Sequence, residues 1–391
     1  MDKLDFSWTD EQTAIKDSME NFAKTELSPG TLERDEKGEF NFDGFKKAGN
    51  IGLLALPIPR EYGGIGADIL SIIAAFEGLG RGCSDNGFIV SIASHMINVE
   101  VSIWLNGSTY QKEKYLPQLC SGELIGALGV TEPNAGSDTS NLSTTALKKD
   151  GYYFINGTKM FITNGPIADV LIVFATMDKS KGKKGIRPFI VEKGFPGFSA
   201  GKKLDKMGIR SSLTSELIFE DCKVPLENVM GEEGKGLKVL YDTLEWERTF
   251  SLSYRIGRME ALLETCIRYA KEKEQFGYPI ANDQAIQFKL SNMKVRLETA
   301  RNMVYKVGWM KQQGIPATME AAIAKLYLTE SYVQSAQDAI QIHGRDGYMK
   351  EFGVEQQLRD AIIGTIGAGT SEIQRLIIAG RLLGKDYVKF G

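Results

Sequence analysis

The chain predicts an α+β multidomain protein: an N-terminal helical domain over residues 1–125, a middle β-barrel or β-sandwich domain over 126–232, and a C-terminal helical bundle over 233–391. Three observations carry that prediction. At 391 residues the chain is too long for one ordinary core. Its apolar period changes from helical to strand-like near residue 126 and returns to helical after GEEGKG at 231–236. A stripe of apolar residues at alternating spacings of four and three then runs through the C-terminal part, as in helix bundles.

In the N-terminal part, apolar positions at helical spacing predict helices from Thr9 to Leu27, around Phe45 to Leu54, from Ile69 to Leu79 and from Gln111 to Leu119. PIPREYGGIGAD at 57–68 breaks them. No strand leads into a G-x-G-x-x-G, so GLGRG at 78–82 reads as a helix C-cap and not as a phosphate loop. The runs YYFI, VLIVFAT, RPFIVE and ELIFE, rich in aromatic and branched residues, predict strands in the middle part. Asn156-Gly157 between two of these runs signals a type I′ hairpin. The lysine cluster KSKGKK at 179–184 reads as a hairpin tip. The bundle stripe is Ile286, Leu290, Met293, Leu297, Ala300, Val304 and Val307. Gly314-Ile315-Pro316 ends that helix, and the next starts near Thr318 and continues through Ile323, Leu326, Val333 and Ile340.

Composition narrows the function classes. A net charge of −3 gives no electrostatic reason to expect nucleic acid or an anionic membrane as a partner. The uncharged stretch from Asn86 to Val99 is shorter than the roughly 20 residues of a membrane helix and contains Asn, Ser and His, so no membrane span is expected. MDKLDFSWTDEQ carries acidic residues and no apolar leader segment, which points to a cytoplasmic protein. Cys83, Cys120, Cys222 and Cys266 lie far apart and fit reduced, buried thiols. With only His95 and His343, no His-rich metal site is expected, and a Ser or Cys nucleophile has few imidazole partners.

Three motifs carry a family resemblance: TEPNAGSD at 131–138, MFITNG at 160–165 and IGAGTSEIQRLI at 366–377. Together with the three-part order they make the whole chain resemble the acyl-CoA dehydrogenase family of flavoenzymes, whose C-terminal part is a four-helix bundle. The resemblance implies FAD as cofactor. Val130 and Thr131 would approach the isoalloxazine ring, and Ser137 would lie near the pyrophosphate and the incoming thioester. Phe161, where the family often has tryptophan, would cover one ring face in the flavin-facing segment it shares with Ile162, and Thr163 would donate to N5. A flavin that takes a hydride develops negative charge near N1 and the C2 carbonyl, so hydroxyl and backbone N–H donors suit it. Thr370 and Glu372 belong to the same cofactor set. Family flavin sites also borrow groups from a neighbouring subunit, which by position are Lys273, Phe276, Gln284, Gln341 and Gly344. The family usually has arginine at Lys273 and a second glycine at Arg345; lysine keeps the charge and loses the planar fork.

In most of the family a glutamate immediately before the glycine of GTS removes the α-proton. Ala368 stands there. Glu247 in WERTF lies on the inward stripe of Leu240 and Leu244, whereas Glu245 and Arg248 point elsewhere. Isovaleryl-CoA and long-chain acyl-CoA dehydrogenases are similar in having a small residue before GTS and a glutamate before an arginine on the bundle's first long helix. Glu247 is therefore the candidate base, against the commoner fate of a helical glutamate as a surface partner. Arg248 reads equally as a group near the thioester or as a bundle salt bridge. The Ala368 backbone N–H would polarise the thioester carbonyl, with Gly369 and Thr370 lining the same place.

The implied reaction is FAD-dependent α,β-dehydrogenation of an acyl thioester, acyl-CoA to trans-2-enoyl-CoA, with electron transfer flavoprotein as acceptor. A competing reading keeps the chemistry on an acyl or aminoacyl group tethered to an acyl carrier protein in polyketide or peptide biosynthesis. A flavin oxidase and a non-catalytic flavoprotein scaffold are the readings from other classes. Contacts that cross between subunits imply a homo-oligomer, a dimer of dimers in the family.

Overall fold

The computed structural model describes residues 8–384 and 387–388. The leader reading of residues 1–7 and the last residues of the bundle assignment fall outside them. Seven helices build the N-terminal part: α1 (Asp10–Phe22), α2 (Thr31–Lys37), α3 (Phe42–Asn50), α4 (Ile69–Gly82), α5 (Asn86–Ala93), α6 (Val101–Asn106) and α7 (Thr109–Cys120). Capping boxes at Thr9/Gln12 and Ser108/Gln111 start α1 and α7.

Three helical expectations need correction. The helix expected around Phe45 to Leu54 stops at Asn50, because Gly52 adopts a left-handed backbone and turns the chain. The glycines of GLGRG lie inside α4 instead of capping it. A Cβ on Gly80 would run into the Tyr254 carbonyl, and one on Gly257 into the Glu77 carbonyl, so these positions let two helix backbones touch. The uncharged stretch at 86–99 belongs to a continuous 21-residue helix, Asn86–Asn106, in which the π-helical Ser94–Glu100 joins α5 to α6. By length and composition that helix could cross a membrane, but 83% of its apolar window is buried inside the protein, as in a core helix.

The middle part is one curled sheet of β1 (Gly126–Gly129), β2 (Thr145–Lys149), β3 (Tyr152–Thr163), β4 (Val170–Thr176), β5 (Ile186–Glu192), β6 (Phe198–Ala200) and β7 (Thr214–Pro225). The path runs β1-β4-β2-β3-β7-β6, with β5 antiparallel to β4. β1 pairs with β4 in parallel up to Gly129↔Val173, and β2 takes over alongside β4 at Thr145↔Thr176. Between these registers residues 130–144 leave the sheet, and they contain TEPNAGSD. Asn156-Gly157 is not a hairpin. It sits within β3 where the ladder to β7 slips, and the Asn156 amide donates to Asp221 at 2.9 Å. Asp150 and Gly151, both at positive φ, make the β2–β3 turn, the same chemistry six residues earlier. KSKGKK is the tip between β4 and β5, as its composition suggested.

The C-terminal part contains α8 (Gly236–Trp246), a π-helical turn Glu247–Ser251, α9 (Tyr254–Glu272), a short hairpin of β8 (Glu274–Gln275) and β9 (Tyr278–Pro279), α10 (Gln284–Gln312), α11 (Thr318–His343), α12 (Arg345–Tyr348), α13 (Val354–Ile362) and α14 (Ser371–Leu383). Helices α9, α10, α11 and α14 form the bundle, with α4 packed on α9 and α10. Met293, Leu297, Ala300, Val304 and Val307 are buried as the stripe required. On α11 the core face is Ala321, Ala324, Leu328, Tyr332, Ala336 and Ala339, whereas Ile323, Leu326, Val333 and Ile340 are half-buried. Buried Glu77 ties the first and last parts together by accepting from Lys16 at 2.7 Å, Arg301 at 3.0 Å and Tyr305 at 3.0 Å.

Candidate active site

Glu247 opens the π-helical turn that ends α8. Such turns carry one extra residue per turn and are frequent at functional positions. Trp246 packs its ring 4.5 Å from Phe250 and 6.0 Å from Trp104, fixing the turn against α6. Asn98, from the π-helical Ser94–Glu100, gives the Glu247 carboxylate a hydrogen bond. Glu247 is half-buried, with Asn98, Arg248, Lys325 and Arg255 around its carboxylate. Burial raises its pKa above the usual carboxylate range, outweighing Asn98 and the charges of Arg248, Lys325 and Arg255. A carboxylate with raised proton affinity is what α-proton removal needs.

Arg248 does not point away from the site. Its Nε donates to the Ala368 carbonyl at 3.3 Å, and burial pulls its pKa down. No bundle salt bridge holds it among the described residues; it reaches the IGAGTSE loop instead. Fully buried Lys325 donates to the Gly369 carbonyl at 2.7 Å, and the Gln374 amide donates to the same oxygen at 2.9 Å. Burial, with help from Arg255 and Arg248, brings Lys325 down to about 8. Ala368 and Gly369 both take positive φ, 54° and 88°, before Thr370 caps α14 through the Ile373 N–H at 3.3 Å. For alanine that conformation is uncommon, and three polar side chains hold the loop in it. Glu372 is exposed on the first turn of α14.

The excursion at 130–144 is clamped from beneath. Glu132 and Lys159 are buried and paired at 2.8 Å; Lys159 also donates to the Val130 carbonyl at 3.2 Å. The Glu132 carboxylate accepts from the Ser143 and Thr144 N–H groups at 2.5 and 2.9 Å. Thr131 is fixed through its carbonyl by Met160 N–H at 2.8 Å. Ser137 is exposed, and a Cβ on neighbouring Gly136 would meet nothing. On β3, Phe161 has φ 60° and is 64% exposed, while Ile162 turns its side chain into the sheet core and its carbonyl accepts from the Gly165 N–H at 3.1 Å. Half-buried Thr163 pairs with Thr214. An aromatic ring held in left-handed backbone beside open space, with hydroxyls of Thr131, Ser137 and Thr163 in the adjoining segments, fits a flat, hydrogen-bonding group such as flavin.

Lys273, Phe276, Gln284, Gln341 and Gly344 lie at another end of the bundle. Lys273 pairs with Asp346 at 3.7 Å, and the Tyr269 hydroxyl donates to Asp346 at 2.9 Å. Arg345 approaches the same carboxylate at 3.3 Å. Phe276, at φ 53°, is 93% exposed; Gln284 and Gln341 are exposed as well. Among the described residues no hydrogen bond or ion pair joins this group to residues 130–137 of the same chain. The sequence reading missed Asn98, Lys325, Glu132 and Lys159. A lone lysine on the apolar face of α11 was the one visible signal.

Family models for the N-terminal, middle and C-terminal domains of acyl-CoA dehydrogenase match residues 9–123, 127–222 and 234–383. The chain belongs to the acyl-CoA dehydrogenase family, FAD-dependent oxidoreductases acting on the CH–CH bond of acyl thioesters. It is 42% identical to a short-chain-specific acyl-CoA dehydrogenase of Clostridium acetobutylicum over 97% of this chain and 100% of the relative. The solved structure of butyryl-CoA dehydrogenase from Megasphaera elsdenii is 43% identical, with a TM-score of 0.94 over 97% of this chain and 100% of the other. The prolyl acyl carrier protein oxidase AnaB is 44% identical, with a TM-score of 0.94 over 96% and 100%.

Proposed function

We propose that Glu247 is the base of an acyl-thioester α,β-dehydrogenation. The observation that carries this reading is the Glu247 carboxylate, held by Asn98 and raised in proton affinity by burial, next in the chain to Arg248, which reaches the loop whose usual glutamate position is Ala368. Glu247 takes the α-proton, which the thioester carbonyl acidifies when it accepts from backbone N–H groups at Ala368 and Gly369. Arg248, Lys325 and Gln374 hold that backbone in place through its carbonyls. Val130, Thr131, Ser137, Phe161 and Thr163 would hold FAD, which supplies the acceptor for the β-hydride.

Electron transfer flavoprotein is the proposed reoxidant. We further infer a homo-oligomer, supported by the exposed Phe276 and by Leu382 and Leu383 at the end of α14, 71% and 63% exposed. Likeness to AnaB supports a second reading, in which the acyl or aminoacyl group rides on a carrier protein. Anaerobic bleaching of the flavin by a panel of acyl-CoAs and acyl carrier proteins, with Glu247→Gln alongside, tests the whole. Bleaching that persists in Glu247→Gln would remove Glu247 as the base.

A further inference from the structure

Three cations act on Glu247, and one of them has no partner of its own. Arg248 and Lys325 donate to the Ala368 and Gly369 carbonyls. The two further carboxylates that act on these cations, Glu245 and Glu330, are held by Lys311 and Arg375, each at 2.8 Å. The third cation is Arg255, on the first turn of α9. It is only 4% exposed, its Nε has no hydrogen-bond partner, and among the described residues no carboxylate lies within ion-pair distance of it. Arg258, one turn further on, shows the ordinary arrangement, with Nη1 donating to the Gly80 and Cys83 carbonyls at 3.2 and 3.1 Å. Arg255 has the Tyr254 ring, 4.7 Å from its guanidinium carbon. A buried guanidinium without an anion is destabilising, and a water that accepted from it would leave its charge unbalanced.

Three elements place Arg255 in the same order relative to the site. Along the chain after Glu247, Arg248 meets Ala368 first and Arg255 follows on α9. On the loop side, Gly364 lies beside Arg255, four positions before Ala368: a Cβ there would come within 3.2 Å of the Arg255 Nε and 3.1 Å of the Thr329 side chain. On α11, Thr329 stands one turn beyond Lys325, about 6 Å of rise. The guanidinium therefore lies about one helical turn away from the Ala368 and Gly369 backbone, and glycine at 364 leaves room for it.

We propose that Arg255 receives a carboxylate at the far end of the acyl group, so that the substrate is a short dicarboxylyl thioester. The proposal rests on the acyl-thioester reading above and narrows its substrate class. With the thioester carbonyl at the Ala368 and Gly369 N–H groups and the α-carbon at Glu247, the terminal carboxylate meets Arg255 and balances its charge. An aminoacyl group with a protonated amine would meet like charge there. A plain alkyl chain would leave the cation buried and unpaired.

The test uses the FAD-loaded protein, Arg255→Met and Arg255→Lys. Anaerobic flavin bleaching would be compared for glutaryl and pentanoyl thioesters, which have equal carbon number, each on coenzyme A and on a holo-carrier protein. Wild type should bleach faster with glutaryl by about tenfold or more, on whichever carrier it accepts. Arg255→Met should lose about a hundredfold or more on glutaryl and hold or gain on pentanoyl, with Arg255→Lys between. The melting temperature of Arg255→Met should be no lower than that of wild type, because the substitution strands no partner. Absence of a wild-type preference overturns the carboxylate site. An equal loss on both acyl groups in Arg255→Met also overturns it and makes Arg255 a group that only tunes Glu247. A melting temperature lowered in both variants gives Arg255 a structural partner and overturns it as well. In each of these cases, bleaching of wild type by either acyl group leaves the acyl-thioester reading standing. Wild type bleached by none of the four thioesters overturns both.

Discussion

Glu132 and Glu247 are both enclosed glutamates beside cations, and their surroundings drive them in opposite directions. Burial penalises the Glu132 charge, but Lys159, Thr144 and Ser143 supply more than burial removes, and its pKa falls. Burial also draws Lys159 down to about 8, which leaves the pair ionic at neutral pH. At Glu247 burial wins, and the pKa rises. A lysine and two N–H groups in direct contact make one carboxylate a structural clamp, whereas Arg248 and Lys325, turned toward backbone carbonyls of the 366–374 loop, leave the other able to accept a proton.

The sharpest way to break this contrast is at Glu247. Glu247→Gln is expected to slow flavin bleaching by about a hundredfold to ten-thousandfold, the range of a lost general base, while FAD and substrate still bind. Stopped-flow absorbance reads both. Next in size is the clamp. Lys159→Met leaves the Glu132 charge buried without its lysine and should cost about 3–5 kcal/mol in urea unfolding. The double variant Lys159→Met/Glu132→Leu should recover a good part of that, since it removes the stranded charge. A double variant no more stable than the single one would mean that the backbone N–H bonds of Glu132, and not the ion pair, carry the clamp.

The two carboxylates should also leave opposite signatures in stability against pH. Glu132, with a lowered folded pKa, adds stability that is present above the ordinary carboxylate pKa and is lost as the pH falls through its lower folded value. Glu247, with a raised folded pKa, adds stability that is present below the ordinary carboxylate pKa and is lost as the pH rises through its folded value. Glu247→Gln should therefore be more stable than wild type at neutral pH, on the order of 1 kcal/mol. Bleaching by wild type should rise over the same interval in which Glu247 gives up stability. Denaturation midpoints from acid to neutral pH, taken beside the bleaching rate, check both signs; a Glu247→Gln curve parallel to wild type would end the comparison.

Features set by local pattern were legible in the sequence. The stripe from Met293 to Val307 is buried because helical spacing alone puts those residues on one face, and KSKGKK is a tip because so many lysines suit no interior. Features set by pairing at a distance were not. Asn156-Gly157 and Asp150-Gly151 carry the same turn chemistry, and only the register of β3 against β7 decides that the first is a bulge. Glu247 could be placed on an inward stripe, but Asn98 and Lys325 reach it from other helices, 149 and 78 positions away. Arg248 reads in the sequence as either a thioester-side group or a bundle salt bridge, and only the folded position of a loop 120 residues further on shows that it meets the Ala368 carbonyl.

The smallest effect sharpens the contrast most, because it alters the surroundings of Glu247 without touching the carboxylate. Asn98 is 7% exposed; its amide N–H donates to Glu247, so its Oδ1 faces away, and that oxygen has no partner. Asn98→Leu removes one hydrogen bond that favours the carboxylate, together with one buried acceptor that has nothing to accept. The two changes should nearly cancel in stability, leaving the urea midpoint within about 0.5 kcal/mol of wild type. They do not cancel at the base. Glu247 loses a donor that lowers its pKa, so the bleaching rate at neutral pH should fall roughly fivefold to tenfold, about 1–1.5 kcal/mol. The rate should return as the pH is raised, with substrate affinity unchanged. A loss that persists at high pH would mean that Asn98 aims the carboxylate and does not tune its proton affinity, and the difference between Glu132 and Glu247 would then be one of geometry as much as of charge.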